Sequence, residues 1–385
     1  MHCDYFAAGV CRSCTLMTIQ YAAQLTDLDA RVRACLAGVI GEEAWEATAL
    51  GPESGFRNKA KLVVGGERGA PTLGILDGAG RGVDLRRCGL YEPGLAAALD
   101  PLAGFVAEAG LTPYDVPART GELKHLVVTH SPDDELMVRF VLRSPGQVGR
   151  LTRQLPELST RLPQVRVVTA NLLPEHKAVL EGDVETVLSA DDTLPMRLAD
   201  LTLHLGPRSF FQTNTVVAQQ LYRTAAAWTA DLDASSIWDL YCGVGGFALH
   251  CHRPGRATTG VELSSEAVAS ARHSARSLGH ADAVRFEAGD AAAYAIERGA
   301  QGAPDLVVVN PPRRGIGPEL ADWLETSRAP YLLYSSCNPT TLAADLARMP
   351  SLRPVRARIF DMFPQSPHAE VLVLARRVTT PAGTD

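Results

Sequence analysis

Three short segments carry residue types that can do covalent chemistry on a pyrimidine ring. SSCNPTT (Ser335–Thr341) sets Cys337 at the end of an apolar run, NPPRRG (Asn310–Gly315) follows another, and SPHAEVLV opens a third with Glu370. Carbon 5 of uracil is a poor nucleophile. A thiolate adding to carbon 6 turns the ring into an enolate whose carbon 5 can attack a methyl sulfonium, so that one hard step becomes two easier ones. A base must then take the proton from carbon 5, so that elimination frees the thiol. Cys337 suits the first role and Glu370 the second, with His368 competing for the latter. Cysteine also serves as an apolar filler, and a glutamate at a strand start can be a surface ion-pair partner. The neighbouring NPPRRG gives the pair its meaning.

Two prolines stiffen NPPRRG and fix its carbonyls, while Asn310 can donate and accept hydrogen bonds toward a planar base edge. Enzymes that methylate amino groups of bases use a similar loop ending in an aromatic residue. Arg313 holds that place here, which argues against adenine or cytosine amino methylation. Upstream, DLYCGVGGFAL (Asp239–Leu249) is a glycine-rich turn after a strand, where the backbone can approach a ligand closely. Dinucleotide and S-adenosylmethionine sites share such a turn. The third glycine of the dinucleotide fingerprint is replaced by Ala248. Glu262, in GVELS, can accept from both ribose hydroxyls of either ligand. Asp290, in EAGD, is placed to reach an adenine amino group. Each acid can instead cap a helix. NPPRRG, which dehydrogenases do not need, decides for a methyl donor.

The elements that must position these residues alternate. After Phe211 a helix over 216–229 leads into strand SIWDLYC, a helix from Gly246, strand ATTGVEL, a helix over 266–278, strand VRFEAG, a short helix near Ala291, strand DLVVVN, a helix over 318–327, strand YLLYSSC and a helix over 340–349. VRARIFD and EVLVLAR close the chain as an antiparallel pair. Alternation of this kind implies a doubly wound parallel sheet, an α/β fold, here with an antiparallel last strand. Between about Gly51 and Leu205, short β-like runs such as LVVTHS, LMVRFVLRS, VRVVTANLL and LTLHLG predict a smaller α+β or mostly β domain, interrupted by one longer helix over 145–158. Residues 15–37 have helical spacing through Leu16, Ile19, Ala23, Leu28, Val32 and Leu36. The predicted domains are a cysteine element over 1–14, a helical segment over 15–48, a central domain over 49–204 and a catalytic domain over 205–378. The tail TTPAGTD is expected to fray.

A chain of 385 residues with 46% hydrophobic and 21% charged residues buries a sizeable core in more than one domain. It contains no long uncharged apolar run and no secretory leader pattern, so a cytoplasmic protein without a membrane partner is expected. The net charge of −6 opposes a general polyanion-binding field. Basic residues gather locally at Arg57, Lys59 and Lys61, at Arg86–Arg87, at Arg150 and Arg153, and at Arg313–Arg314, each of which can equally be solvated surface. Eight cysteines in such a chain should be reduced. Cys3, Cys11 and Cys14 form a C-x7-C-x2-C array, and Cys88 is a possible fourth member. Four thiolates suit zinc and an iron–sulfur cluster equally by count.

Taken together, FFQTN (Phe210–Asn214), DLYCGVGGF, GVELS, NPPRRG, SSCNPTT and FDMFPQSPHAEVLVL span nearly all of 205–377. They resemble the RNA uracil-C5 methyltransferases, which are class I enzymes dependent on S-adenosylmethionine. The resemblance implies S-adenosylmethionine contacts at Gln212, Tyr241, Glu262 and Asn310, the nucleophile at Cys337 and the proton-removing base at Glu370. At Asn310 many members carry Asp, so the position is uncharged here. The ribosomal branch carries a [4Fe-4S] cluster and the tRNA branch lacks one. The resemblance therefore implies a cluster on Cys3, Cys11, Cys14 and Cys88, with a structural role beside an RNA-binding central domain. It also implies a 23S rRNA substrate with an unstacked uridine, acted on by a monomer without a protein partner. The rival readings are another rRNA or tRNA uridine, a noncatalytic RNA-binding factor, and an iron–sulfur redox enzyme.

Overall fold

The computed structural model describes residues 1–378, so the tail TTPAGTD lies outside the described residues. The chain divides into two compact units: Met1–Met17 with Pro52–Arg197, and Thr18–Gly51 with the chain from Leu198 onward. Among the described residues, no helix is long and apolar enough to cross a membrane.

In the first unit a short helix, α1 (Asp4–Ala7), precedes a seven-stranded sheet in the order β3-β2-β1-β4-β5-β6-β7. Its strands are β1 (Lys59–Glu67), β2 (Ala70–Leu76), β3 (Gly82–Asp84), β4 (Leu123–His130), β5 (Leu136–Leu142), β6 (Val165–Leu172) and β7 (Val184–Val187). Only β5 and β6 pair in parallel, because helix α4 (Val148–Arg161) crosses between them. A second helix, α3 (Pro93–Glu108), packs with α4 into the same core through Leu99, Leu102, Phe105, Leu151 and Leu158, against Leu62, Leu126 and Phe140. The sequence predicts one long helix in this region, and the structure has two. Helix α3 is hidden because Leu95, Ala98, Leu99, Leu102, Phe105 and Val106 bury most of its circumference, which erases the two-faced pattern, and because Pro101 stands inside it. Two short strands, β8 (Leu194–Leu198) and β9 (Leu201–Leu205), follow.

Helix α5 (Thr215–Ala230) introduces the alternation of the second unit, capped by the Asn214 side chain, which accepts from Val217 N at 3.2 Å. The strands are β10 (Ser236–Leu240), β11 (Ala257–Glu262), β12 (Val284–Ala288), β13 (Leu306–Val309), β14 (Tyr331–Ser336), β15 (Leu352–Phe360) and β16 (Glu370–Arg377). Between them run α6 (Gly246–Cys251), α7 (Ser265–Ser277), α8 (Ala291–Gly299), α9 (Gly317–Thr326) and α10 (Pro339–Ala347). The sheet order is β12-β11-β10-β13-β14-β16-β15. The first five strands are parallel, and β16 inserts antiparallel between β14 and β15. This is the doubly wound sheet with an antiparallel last strand that the alternation predicts. The order steps away from β10 in both directions, toward β11 and toward β13, so ligands are expected at the carboxyl ends of these strands.

Residues 18–51 belong to this unit. Helix α2 (Tyr21–Leu36) buries Leu28, Val32 and Leu36 in one core with Leu320, Leu332, Leu342 and Val373. Beyond it, Glu46 N and Ala49 N donate to Ala357 O and Ile359 O at 2.8 Å each, so this segment covers the outer edge of β15. The helix begins at Tyr21, not near Thr15, and buries Gln24 where the periodicity puts Ala23. Gln24 tolerates burial because its Nε2 donates to Ile19 O at 2.8 Å and to Gln365 Oε1 at 3.0 Å. Leu28→Ala should therefore destabilise the catalytic unit by about 2–4 kcal/mol. Denaturant unfolding followed on that unit checks this, and a loss below about 0.5 kcal/mol would mean that α2 is only loosely attached.

Candidate active site

The carboxyl ends of the parallel strands open into a cavity of about 600 Å³, a size suited to a cofactor and a base. Gln212, Tyr241, Glu262, Asn310, Cys337 and Glu370 all line it, as do Asp290 and Arg313. His368, the rival to Glu370, is exposed and is not among the lining residues.

The glycine-rich turn forms one wall. Tyr241 takes a left-handed conformation (φ 74°), as do Gly243 (53°) and Gly245 (88°), so the chain folds back sharply after β10. At Gly246 a Cβ would stand 2.6 Å from the Tyr222 hydroxyl, so only glycine fits. Glu262 accepts from Gly243 N at 3.1 Å and from Ser264 N at 3.0 Å, which ties the end of β11 to this turn. Asp290 caps α8 by accepting from Ala292 N and Ala293 N at 3.0 Å, and it also lines the cavity. Beneath the turn, buried Asp239 accepts from Ala248 N at 2.8 Å. Its other oxygen has no hydrogen-bond partner among the described residues, and burial pushes its carboxyl up to about 7.

The thiol and the carboxyl meet through strand register. Ser335 pairs with Leu372 and Ser336 with Val371, so one further step sets Cys337 opposite Glu370. Glu370 is only 2% exposed. Desolvation pushes its carboxyl up to about 7, although the Ser335 hydroxyl donates to Oε1 and favours the charged form. Cys337 is half-buried. Burial is the largest influence raising its thiol, the nearby Glu370 charge raises it further, and Arg313 opposes both through its charge and a hydrogen bond. The Arg313 carbonyl accepts from Asn338 Nδ2 at 2.9 Å and from Thr341 Oγ1 at 3.2 Å, joining NPPRRG to SSCNPTT. Asp345 fastens the far end of the first loop. Its Oδ2 accepts from Ile316 N at 3.0 Å and from the Tyr334 hydroxyl at 2.6 Å. Sequence reasoning missed Tyr222, Ser335 and Asp345. Ser335 was within reach, because it stands two residues before Cys337 and its side chain must point to the same sheet face. Tyr222 and Asp345 look like ordinary helix residues.

The first unit brings Cys3, Cys11, Cys14 and Cys88 to one cavity of about 130 Å³, which Arg57, Lys59 and Lys61 also line. Burial, and then the neighbouring thiols, push Cys14 up to about 11. Cys88 is raised as well, chiefly by burial. Among the described residues, no group of three or more His, Cys, Asp or Glu is placed to hold a metal ion.

The second unit thus has the fold of a methyltransferase acting at the carboxyl ends of a doubly wound sheet. The crystal structure of Pyrococcus abyssi tRNA (uracil-54, C5)-methyltransferase in complex with S-adenosyl-L-homocysteine shares the fold, with a TM-score of 0.79 over 94% of this chain and 85% of that one at 24% identity. The family model described as tRNA (Uracil-5-)-methyltransferase matches residues 184–378. Two curated relatives, both named 23S rRNA (uracil(747)-C(5))-methyltransferase RlmC, are 47% identical. The one from Halothiobacillus neapolitanus aligns over 98% of this chain and 100% of its own length, and the one from Yersinia pseudotuberculosis over 97% and 99%. The chain belongs to the uracil-C5 RNA methyltransferase family.

Raised burial energies give Glu370 a measurable signature. Its folded carboxyl holds a proton up to about pH 7, whereas the unfolded one releases it near 4.5, as a glutamate in water does. The folded form is therefore penalised as pH rises from that value toward 7, and the penalty is complete above 7. Glu370→Gln should stabilise the protein at pH 8 by up to about 3 kcal/mol and leave it unchanged near pH 4. Thermal unfolding at the two pH values checks this, and equal shifts at both would show that burial is not the cause.

Proposed function

We propose that this enzyme methylates carbon 5 of a uridine in 23S rRNA, at the position equivalent to U747 in the substrate of its named relatives. The observation that carries the reaction is the register that faces Cys337 with Glu370 inside the cofactor-sized cavity. The Cys337 thiolate adds to carbon 6, and the electron pair of the 5,6 double bond moves onto the carbonyl oxygen at carbon 4. Carbon 5 would then take the methyl group of a bound sulfonium, whose methyl–sulfur bond would break to leave a neutral thioether, and Glu370 removes the remaining proton from carbon 5. The double bond re-forms, the carbon–sulfur bond breaks, and the thiolate leaves. A carboxyl that titrates near 7 suits this work, because its proton affinity matches the operating pH. When protonated, Glu370 also ceases to repel the Cys337 thiolate.

The residues present fit S-adenosylmethionine. A tight glycine turn, an acid at the end of β11 and a second acid at the end of β12 are the donor and acceptor set that an adenosine moiety needs. Gln212, Tyr241, Glu262 and Asn310 would hold it, and when bound it supplies an electrophilic methyl group. The target base must leave its stack to reach Cys337, which favours a loop or other accessible RNA element.

The four N-terminal cysteines fit a [4Fe-4S] cluster by donor chemistry. Four thiols share one cavity, and three basic side chains around it would offset the negative charge of a thiolate-bound cluster. Its role would be to hold the N-terminal element on the sheet of the first unit, the unit we assign to RNA binding. We read the domains as the cysteine element, the α2 segment, the central domain and the catalytic domain, and the protein as a cytoplasmic monomer.

Mapping 5-methyluridine in 23S rRNA and tRNA, from cells with and without the gene, tests the substrate. Loss confined to the U747-equivalent position supports the proposal, and loss in tRNA would replace it with the tRNA reading. Cys337→Ala should lower methyl transfer by at least about a thousandfold, while Glu370→Gln should accumulate protein covalently joined to RNA, seen as a retarded band on denaturing gels. Anaerobically purified protein should contain iron and acid-labile sulfide in equal amounts, and Cys88→Ser should lose both. Zinc in their place would contradict the cluster.

A further inference from the structure

Arg313 has an exposed side chain on a loop, yet its carbonyl is bonded by side chains of the Cys337 segment. Its carbonyl oxygen takes two hydrogen bonds, from Asn338 Nδ2 and Thr341 Oγ1, and both donors lie within four residues of Cys337. Asn338 is itself fixed. Its Oδ1 caps α10 by accepting from Thr340 N at 3.2 Å, and its backbone N–H donates to Ser336 Oγ at 3.1 Å. Thr341 Oγ1 shares its one proton between the Arg313 carbonyl and the Asn338 carbonyl, 3.2 and 3.1 Å away. Asp345 independently pins the loop at Ile316. The loop is thus fastened at one end by the helix that follows Cys337 and at the middle by the two residues that flank that helix's start.

We infer that Asn338 and Thr341 are positioning residues, a clamp that locks the Arg313 peptide so that its guanidinium is delivered to the Cys337 sulfur. The inference rests on the reading of Cys337 as nucleophile and extends it to residues that touch neither base nor cofactor. The charged groups facing the sulfur are Glu370 from β16, which opposes thiolate formation, and Arg313, which favours it. His368 faces Arg313 from the β16 side, and Arg31 of α2 lies near His368. Arg313 therefore supplies positive charge and a hydrogen bond to the sulfur, and an exposed arginine keeps its place only if its backbone does. Long side chains carry large rotamer entropy, so fixing the peptide is the economical way to fix the charge.

The test reads the thiol directly. Cys337 alkylation by iodoacetamide is followed against pH in the full-length protein, with the modified peptide identified by mass spectrometry to exclude the other cysteines. Asn338→Ser keeps a side chain that caps helices well but is too short to reach the Arg313 carbonyl. Thr341→Val removes the second donor at nearly constant shape and leaves the cap intact. Each variant should alkylate more slowly at pH 7, and the double variant by about tenfold, the effect of one pK unit. Rates should converge with the wild type once the pH is high enough to ionise the thiol in every variant. Thr341→Ser, which retains the hydroxyl, should restore the wild-type profile. Methyl transfer should lose kcat with KM for RNA unchanged, and regain kcat as pH rises. If Asn338→Ser does not fold, Thr341→Val and Thr341→Ser carry the comparison alone. A wild-type alkylation profile in Thr341→Val overturns the clamp. Cys337→Ser is assayed in parallel. If it still methylates RNA, the reading of Cys337 fails while the alkylation result stands; if it is inactive and the profiles do not move, only the clamp fails.

Discussion

The register between β14 and β16 is the constraint on which the site depends. A strand running antiparallel to its neighbour presents the start of one chain segment to the end of another. Here that places the first residue of β16, Glu370, across from Cys337, the residue just past β14. A slip by one residue would turn Glu370 to the opposite face of the sheet and leave the thiol without a carboxyl partner. The register is held by burial: Val371, Leu372, Val373 and Leu374 are at most 4% exposed, and so are Leu332, Leu333 and Tyr334 opposite them. Segment 45–49 and helix α2 cover the far side of this corner, so the core that sets the register draws on residues from both ends of the chain.

Fixed there, Glu370 is deprived of water, and an ionised carboxylate without solvent is costly. The chain answers with a single hydroxyl from Ser335, enough to orient the carboxyl and too little to hold it ionised below neutrality. The Cys337 thiol lies within the field of that carboxyl and of Arg313, so its charge state follows theirs. Burial thus raises the hold of both groups on a proton, and Arg313 alone of the named influences favours the thiolate through its charge. Around them, the glycine turn forms a wall that the Glu262 carboxylate ties to the end of β11.

Much of this was legible in the sequence. The alternation after Phe211 predicts nearly every strand and helix of the second unit, because each apolar run is bounded by glycine, proline or a capping residue. Tyr241, Glu262, Asn310 and Cys337 share one cavity because their motifs end parallel strands, Glu370 joins them by beginning the antiparallel one, and Gln212 comes from the loop before α5. What escaped was buried on all sides or acted at a distance. Helix α3 shows no polar face to betray its period. Gln24 replaces Ala23 in the core because partners far along the chain satisfy its amide. Asp345 and the clamp around Arg313 depend on hydrogen bonds between loops, which no local pattern encodes. The gathering of the four cysteines follows from the fold of the first unit, since spacing alone leaves Cys88 unassigned.

The most direct measurement is peptide-level mass spectrometry of the wild-type enzyme after incubation with S-adenosylmethionine and its RNA substrate carrying 5-fluorouridine at the target position. Fluorine at carbon 5 cannot be removed as a proton, so elimination stalls and the carbon–sulfur bond survives. The account predicts a methylated fluorouridine on the peptide containing Cys337. An absence of any adduct, or an adduct on another cysteine, would contradict it.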